Sequence, residues 1–222
     1  MAGESLNELT YQSLRKDIMS LKLKPGTVLS TAKIAQEYHV SRTPAREAIL
    51  SLNKIGLVDI FPQSRTTVSR IDMKRVDQEW FIRKSLEVAV IDDFMCNCSQ
   101  GDIQELKSIV DRQEEYHGSG DFILYFEWDN KFHRTIFMAA GQALAWDTII
   151  NVNCHYNSLR MLVMKEDQAQ AEAVEEHRRI INAMECRDTE LAKKHMLEHI
   201  AKIEVQRKDA LNIYSEYFKE GL

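Results

Sequence analysis

The chain has 222 residues, 44% of them hydrophobic, and carries a net charge of −5 from 34 acidic and 29 basic side chains. That length accommodates one large domain or two modest ones, and the apolar fraction can bury a core in either case. No apolar run approaches the ~20 residues of a membrane span, and Met1–Leu6 lacks the basic start and apolar centre of a secretory leader, so membrane and export roles are set aside and the cytoplasm is the expected compartment.

The charge is unevenly placed. Residues 1–70 hold 10 Lys/Arg against 6 Asp/Glu, and the remainder holds 19 against 28. A basic head on an acidic body suits a polyanion met by the head alone, although ordinary surface variation gives the same totals. Cys96, Cys98, Cys154 and Cys186 have neither metal-finger nor CxxC spacing and read as buried, reduced thiols.

All three prolines, Pro25, Pro44 and Pro62, fall in the first third of the chain. The head therefore reads as short elements: a helix through Leu9, Leu14 and Ile18, a Pro25–Gly26 turn, and an extended Val28–Leu29. Helices over 31–37 and 42–55 follow, then a hairpin of 57–61 and 67–71 with Gln63, Ser64, Arg65 and Thr66 at its tip. In the second of these helices Ala45, Ala48, Ile49, Leu52 and Ile55 form a buried stripe, while Arg42 and Arg46, one turn apart, leave from another face. Ser41 or Thr43 can cap its start, and Pro44 is tolerated in a first turn. Two guanidiniums and two hydroxyls at a helix N-terminus suit phosphates and base edges, and a bidentate arginine discriminates guanine by ~1–3 kcal/mol. Periodicity alone permits the plainer reading of a surface helix with solvated arginines.

Longer motifs narrow the choice. Tyr11-x2-Leu14-x3-Ile18, Leu23-x-Pro25-Gly26-x2-Leu29-Ser30, Val40-Ser41-Arg42-Thr43-Pro44-x-Arg46-Glu47-Ala48 and Gly56-Leu57-Val58 resemble the DNA-binding domain of the GntR family almost continuously over residues 8–60. The resemblance implies a winged helix-turn-helix that binds a palindromic operator in double-stranded DNA as a homodimer. Ser41, Arg42, Thr43 and Arg46 would be the principal contacts, and the hairpin's own pattern adds Arg65 and Thr66 from the wing. Three positions depart from the pattern. Ala32 replaces a phosphate-touching polar residue, His39 replaces a turn glycine, and Arg65 stands where the wing-tip glycine usually lies.

Beyond residue 72 the pattern reads as six helices, 73–97, 101–117, 120–139, 143–165, 167–186 and 188–218, which form a bundle. Polar residues interrupt several apolar stripes. Asp129 and His133 share one with Phe122, Phe126 and Ile136; His177 lies with Ala173, Ile180 and Met184; His199 lies with Ala192, Met196 and Ile203. A buried charge needs a partner. Three imidazoles and a carboxylate facing one interior are donors for a borderline divalent metal, whereas each alone reads more simply as a satisfied core residue. His117, His155 and His195 read as surface or hydrogen-bonding residues, with His195 the substitute should His199 face elsewhere. Val76, Trp80, Arg83, Glu87 and Val90 form a further stripe, in which Arg83 either pairs with Glu87 or clamps a carboxylate ligand. Asn153, Asn157 and Arg160 lie beside the stripe of the fourth helix, where they border a pocket or, more ordinarily, a solvated edge.

These residues carry a second resemblance. Arg83-x2-Leu86-Glu87, Asp129-x2-Phe132-His133, Glu176-His177-x2-Ile180 and Met196-x2-His199 are similar to the FCD ligand-binding domain of the FadR subfamily, and six helices point to its VanR-like group. The resemblance implies one divalent ion per chain, zinc, nickel or manganese, on Asp129, His133, His177 and His199. A small carboxylate effector would complete the coordination and reach Arg83. The resulting expectation is a mostly α chain, with a winged helix-turn-helix over 1–72 and a six-helix, dimerising sensor over 73–222, acting as a ligand-controlled transcription regulator, in the repressor sense. Two rivals are a metal-dependent enzyme acting on a small organic acid and a regulator whose metal is purely structural. The absence of a separate general base weighs against the enzyme.

Overall fold

A computed structural model of the chain describes residues 6–220; residues 1–5, most of the stretch read for a leader, lie outside the described residues. The head comprises α1 (Leu6–Met19), β1 (Val28–Leu29), α2 (Thr31–Glu37), α3 (Arg42–Lys54), β2 (Val58–Phe61) and β3 (Arg65–Val68). Leu14 and Ile18 of α1, Ile34 of α2, and Ala45, Ala48, Ile49 and Leu52 of α3 close over Leu57, Val58 and Val68 as one apolar core. The strands form an antiparallel sheet in the order β1-β3-β2. Ser30 caps α2 by accepting from Lys33 N.

The hairpin begins earlier than its sequence pattern indicates. Arg65 opens β3 opposite Phe61, and Thr66 pairs with both Ile60 and Leu29, so neither sits at the tip. Gln63 takes the left-handed conformation there, with φ 57°. The arginine at the expected glycine position is thereby accommodated as an extended residue, its guanidinium 5.5 Å above the Phe61 ring. His39, the other replacement of a glycine, does adopt φ 54°.

The body comprises α4 (Met73–Asn97), α5 (Gln100–Glu115), α6 (Phe122–Ala139), α7 (Ala143–Val152), α8 (Cys154–Val163), α9 (Asp167–Glu185), α10 (Thr189–Ala201) and α11 (Ile203–Ile213), followed by a 3₁₀ turn over Ser215–Tyr217. Helix α6 is central and packs against α4, α5, α7 and α8, while α9 and α10 pair and reach α5 and α4 respectively. None of the described helices is long and apolar enough to cross a membrane.

Two of the six expected helices are interrupted. The 143–165 span breaks at Asn153, whose φ −86° and ψ 51° leave the helical region without any proline or glycine. The orphaned first turn of α8 finds an acceptor in the buried Glu79, whose Oε2 takes the Tyr156 N–H at 2.8 Å. The 188–218 span is divided at Lys202, where amide bonds run three residues back instead of four, from Lys202 N to His199 O and from Val205 N to Lys202 O. The thiols also differ from expectation: all four are free, but only Cys98 and Cys154 are buried, while Cys96 and Cys186 are exposed.

Head and body share their edges. Cys154 of α8 belongs to the head's core, and Leu21 and Ile71 belong to the body's. Ile71 also forms a parallel bridge with Phe218: its N–H donates to Tyr217 O at 2.8 Å, and Lys219 N donates to Ile71 O at 2.9 Å. Gly56, at φ 84°, ends α3; a Cβ there would meet His155 Nε2 at 3.5 Å and Arg75 Nη1 at 3.6 Å, ordinary contacts, so it is the left-handed turn that calls for glycine.

His155 is buried at this junction, and its Nδ1 accepts from Asp72 N at 3.3 Å. Burial, reinforced by Arg75 and Lys219, pushes its pKa from 6.5 down to about 4. The folded state therefore holds the neutral ring. Its stabilisation is complete above pH 6.5 and is lost as pH falls through about 4, because the unfolded chain takes up the proton first. His155→Gln is expected to lessen the acid-induced loss of stability by about 2 kcal/mol near pH 4.5 relative to near pH 7. Urea unfolding at the two pH values measures the difference.

Candidate metal centre and DNA-reading face

The four polar interruptions of the apolar stripes meet. One donor atom from each of Asp129, His133, His177 and His199 lies within 4.8 Å of every other. His199 Nε2 is 3.3 Å from both His133 Nε2 and His177 Nε2, and the Asp129 oxygens are 3.8 Å from His177 Nε2 and 3.9 Å from His133 Nε2. Bonds of about 2.1 Å from one ion place tetrahedral ligand atoms about 3.4 Å apart, so these spacings suit a single centre. Asp129, His133 and His177 are buried and His199 is nearly so.

The outer ring atoms fix the direction of the lone pairs. His177 Nδ1 is 2.8 Å from Gln113 Oε1, His199 Nδ1 is 2.8 Å from Glu176 Oε2, and His133 Nδ1 contacts Glu87 Oε2. All three partners are acceptors, so each neutral ring carries its proton on Nδ1 and turns a bare Nε2 inward. Three inward lone pairs and a carboxylate cannot hydrogen-bond to one another. A cation satisfies the three lone pairs beside a carboxylate that already accepts from Arg160 and Gln113; without one, a ring has to take up a second proton or turn its N–H inward.

Protonation states agree with this. Burial pushes His133 down to about 4, with Arg83 adding to the effect and Glu87 opposing it, and burial with the neighbouring His199 holds His177 well below the usual range. Burial alone would raise the Asp129 carboxyl, but Arg160 and the three imidazoles outweigh it and keep the group ionised. Neutral imidazoles and an ionised carboxylate are the forms that bind a divalent ion. Phe132 stacks on His177 with ring centroids 3.9 Å apart.

Arg83 pairs with Glu87 as the first of its two readings has it. Its Nε donates to Glu87 Oε1 at 2.5 Å, and its Nη2 is buried without a partner. Burial would raise the Glu87 carboxyl, yet Arg83 and His133 bring it down to about 2. Arg83 lines a narrow cavity of about 30 Å³ that reaches Asp129 and His199, together with Tyr156, Arg160, Glu176 and Lys202.

Asn153, Asn157 and Arg160 are buried, not a solvated edge. Arg160 Nη2 contacts Asp129 Oδ2, and its Nη1 donates to Asn130 Oδ1 and Asn157 Oδ1, both at 3.1 Å. Helix α8 is buried on every side from Cys154 to Val163, so Arg160 lies inside together with the expected Tyr156, Leu159 and Val163, which a one-faced stripe could not indicate. Gln113 was also overlooked, although it follows Ile103, Leu106, Ile109 and Val110 in helical register. Of the remaining histidines, His117 Nε2 is 3.1 Å from Asp167 O and His195 Nδ1 is 3.3 Å from Glu198 Oε2, both away from the centre.

On the head, Ser41, Arg42, Thr43 and Arg46 are all exposed, whereas Pro44, Ala45, Ala48 and Ile49 of the same helix are buried. Ser41 occupies the N-cap position but makes no side-chain cap bond. Arg65 is exposed on the wing, and Thr66 is half-buried.

Two family models match the chain: that of bacterial regulatory proteins of the gntR family over residues 6–68, and that of the FCD domain over residues 80–202. The chain belongs to the GntR family. This GntR-family regulator is 29% identical over 224 residues to the HTH-type transcriptional repressor RspR of Escherichia coli K12, covering 98% of this chain and 95% of that protein. An uncharacterized HTH-type transcriptional regulator in an unstable DNA locus of Streptomyces ambofaciens is 32% identical over 192 residues, covering 86% and 80%. The solved structure of E. coli McbR/YncC shares the fold, with a TM-score of 0.79 at 20% identity over 97% of this chain and 100% of that one. The families and relatives are transcription regulators, which sets the enzyme reading aside.

Arg160→Met is expected to lower stability by about 3 kcal/mol, because it leaves Asp129 charged and buried without its main counterion. Adding Asp129→Asn should recover about half of that loss. Chemical denaturation of the two variants and the parent checks both values.

Proposed function

We propose that this GntR-family regulator is a cytoplasmic, homodimeric repressor whose hold on a palindromic operator is set by a small carboxylate bound at a divalent metal ion. The observation that carries the reading is the convergence of three bare imidazole nitrogens and one carboxylate, each imidazole fixed from outside by its own acceptor. Asp129, His133, His177 and His199 hold the ion, with zinc, nickel and manganese the candidates for this donor set. The ion supplies a Lewis-acidic position for an effector carboxylate, and the unpartnered Nη2 of Arg83 supplies a charge-assisted donor for it.

The division of labour falls at residue 72: residues 1–72 read DNA and residues 73–222 sense and dimerise. Ser41, Arg42, Thr43 and Arg46 reach base edges and phosphates, while Arg65 and Thr66 bring the wing to the backbone. The exposure of this helix face and the repressor named among the relatives support that assignment. Two copies are needed because a helix-turn-helix reader meets a palindrome with matching two-fold symmetry. The effector acts only by binding one arrangement of the dimer more tightly than another.

Elemental analysis of protein purified without a metal-affinity tag is expected to find about one divalent ion per chain, lost in His133→Ala. Binding of an organic acid by thoroughly chelated protein would sink the metal-borne effector, and an ion retained without any response to organic acids would favour a structural metal. For the head, Arg42→Ala with Arg46→Ala should weaken operator binding about 100-fold or more, since each bidentate contact is worth ~1–3 kcal/mol. Unchanged affinity in a fluorescence-anisotropy titration would remove α3 as the reader.

A further inference from the structure

The cavity that reaches Asp129 and His199 is too small for any organic acid. At about 30 Å³ it admits roughly two waters. One of its walls is the start of α11, which contributes Ile203 and Gln206, preceded by Lys202. On the far side of Gln206 and Ala169 lies an open groove of about 340 Å³ between α8, α9 and α11. An effector that enters from this groove passes between Ala169 of α9 and Gln206 of α11, which border both spaces, and so presses α11 away from α9.

Helix α11 is fastened at both ends. At its start, Lys202 Nζ bridges Glu172 Oε2 and Glu176 Oε1, each at 2.6 Å, and Glu176 holds the His199 ring. Beyond its end, Tyr217 and Phe218 are buried in the body's core, and residues 217–219 bond to both backbone groups of Ile71. Ile71 is the segment that joins β3 of the head to α4 of the body, and Lys219 Nζ adds an ion pair to Asp72, the N-cap of α4, at 3.6 Å.

We infer that residues 202–219 form a strap that carries effector entry to the interdomain linker: lifting α11 from the cavity loosens the pairing of the tail with Ile71 and frees the head to change its angle on the body. The strap rests on the reading of this cavity as the effector site. The coupling must run in both directions, so disturbing the tail loosens α11.

Amide hydrogen exchange on the full-length protein tests this without a ligand, so the outcome is independent of metal uptake, which the elemental analysis reports. Lys202→Ala cuts the clip at the α11 start, and Ile203→Trp overfills the cavity wall. Both are expected to speed exchange at Ile71 by about tenfold or more while α6 keeps its protection. At the other end, Lys219→Pro removes the N–H that bonds Ile71 O, and Phe218 at φ −99° and ψ 153° already has the backbone a pre-proline residue needs. Lys219→Pro should speed exchange within 203–213 by about tenfold, whereas Lys219→Ala, which removes only the ion pair, should not. An unaltered Ile71 rate in both α11 variants, or a protected α11 in Lys219→Pro, overturns the strap. So does an equal rise in α6 and α11, which would make the tail a general stabiliser of the bundle.

Discussion

The body is organised around charges almost wholly withdrawn from solvent. Arg83, Glu87, Asp129, His133 and His177 are each at most 1% exposed, and Arg160 is 4% exposed. An isolated ion at such depth is prohibitively costly, so the set is stable only because the Arg83–Glu87 and Arg160–Asp129 pairs cancel and the imidazoles stay neutral. The packing of α4, α6, α8 and α9 around the site follows from that requirement, since each supplies a member of the set. A divalent ion would add two positive charges to a balanced interior. That imbalance is a physical reason for an anionic effector to accompany the metal.

Much of this was legible in the sequence. Helical periodicity located Asp129, His133, His177, His199 and Arg83, because a polar residue in an apolar register stands out wherever the helix is continuous. Arg160 escaped because its helix has no outer face: all of Cys154–Val163 is buried, so a residue beside the apolar stripe is as deep as the stripe itself. Glu79 explains how the break at Asn153 is tolerated, yet its acceptor role depends on a contact 77 residues distant. The wing shows a similar limit. Arg65 at a glycine position signals a changed loop, but only the strand register shows that Gln63 takes over the left-handed turn.

The head reflects local rules more directly. Pro44 and the apolar positions of α3 turn inward, which leaves Ser41, Arg42, Thr43 and Arg46 on the outer side of its first turns. The Ser41 hydroxyl makes no cap bond with the helix it precedes, so capping does not compete with an outward contact. Resemblance located these residues, and burial separates the face that holds the helix from the face that can read a ligand.

The pairing of Ile71 with residues 217–219 also sets an order of assembly. Every element of the head is complete by residue 68, but the partner for the linker is synthesised only after α11. The head can therefore fold on the emerging chain while its orientation is still open, and residues 217–219 lock it only after the body has closed. Lys219 and Glu220 also border the groove formed with Val28, Asp59 and Arg70, so the stretch that fixes the linker reaches the wing's sheet as well.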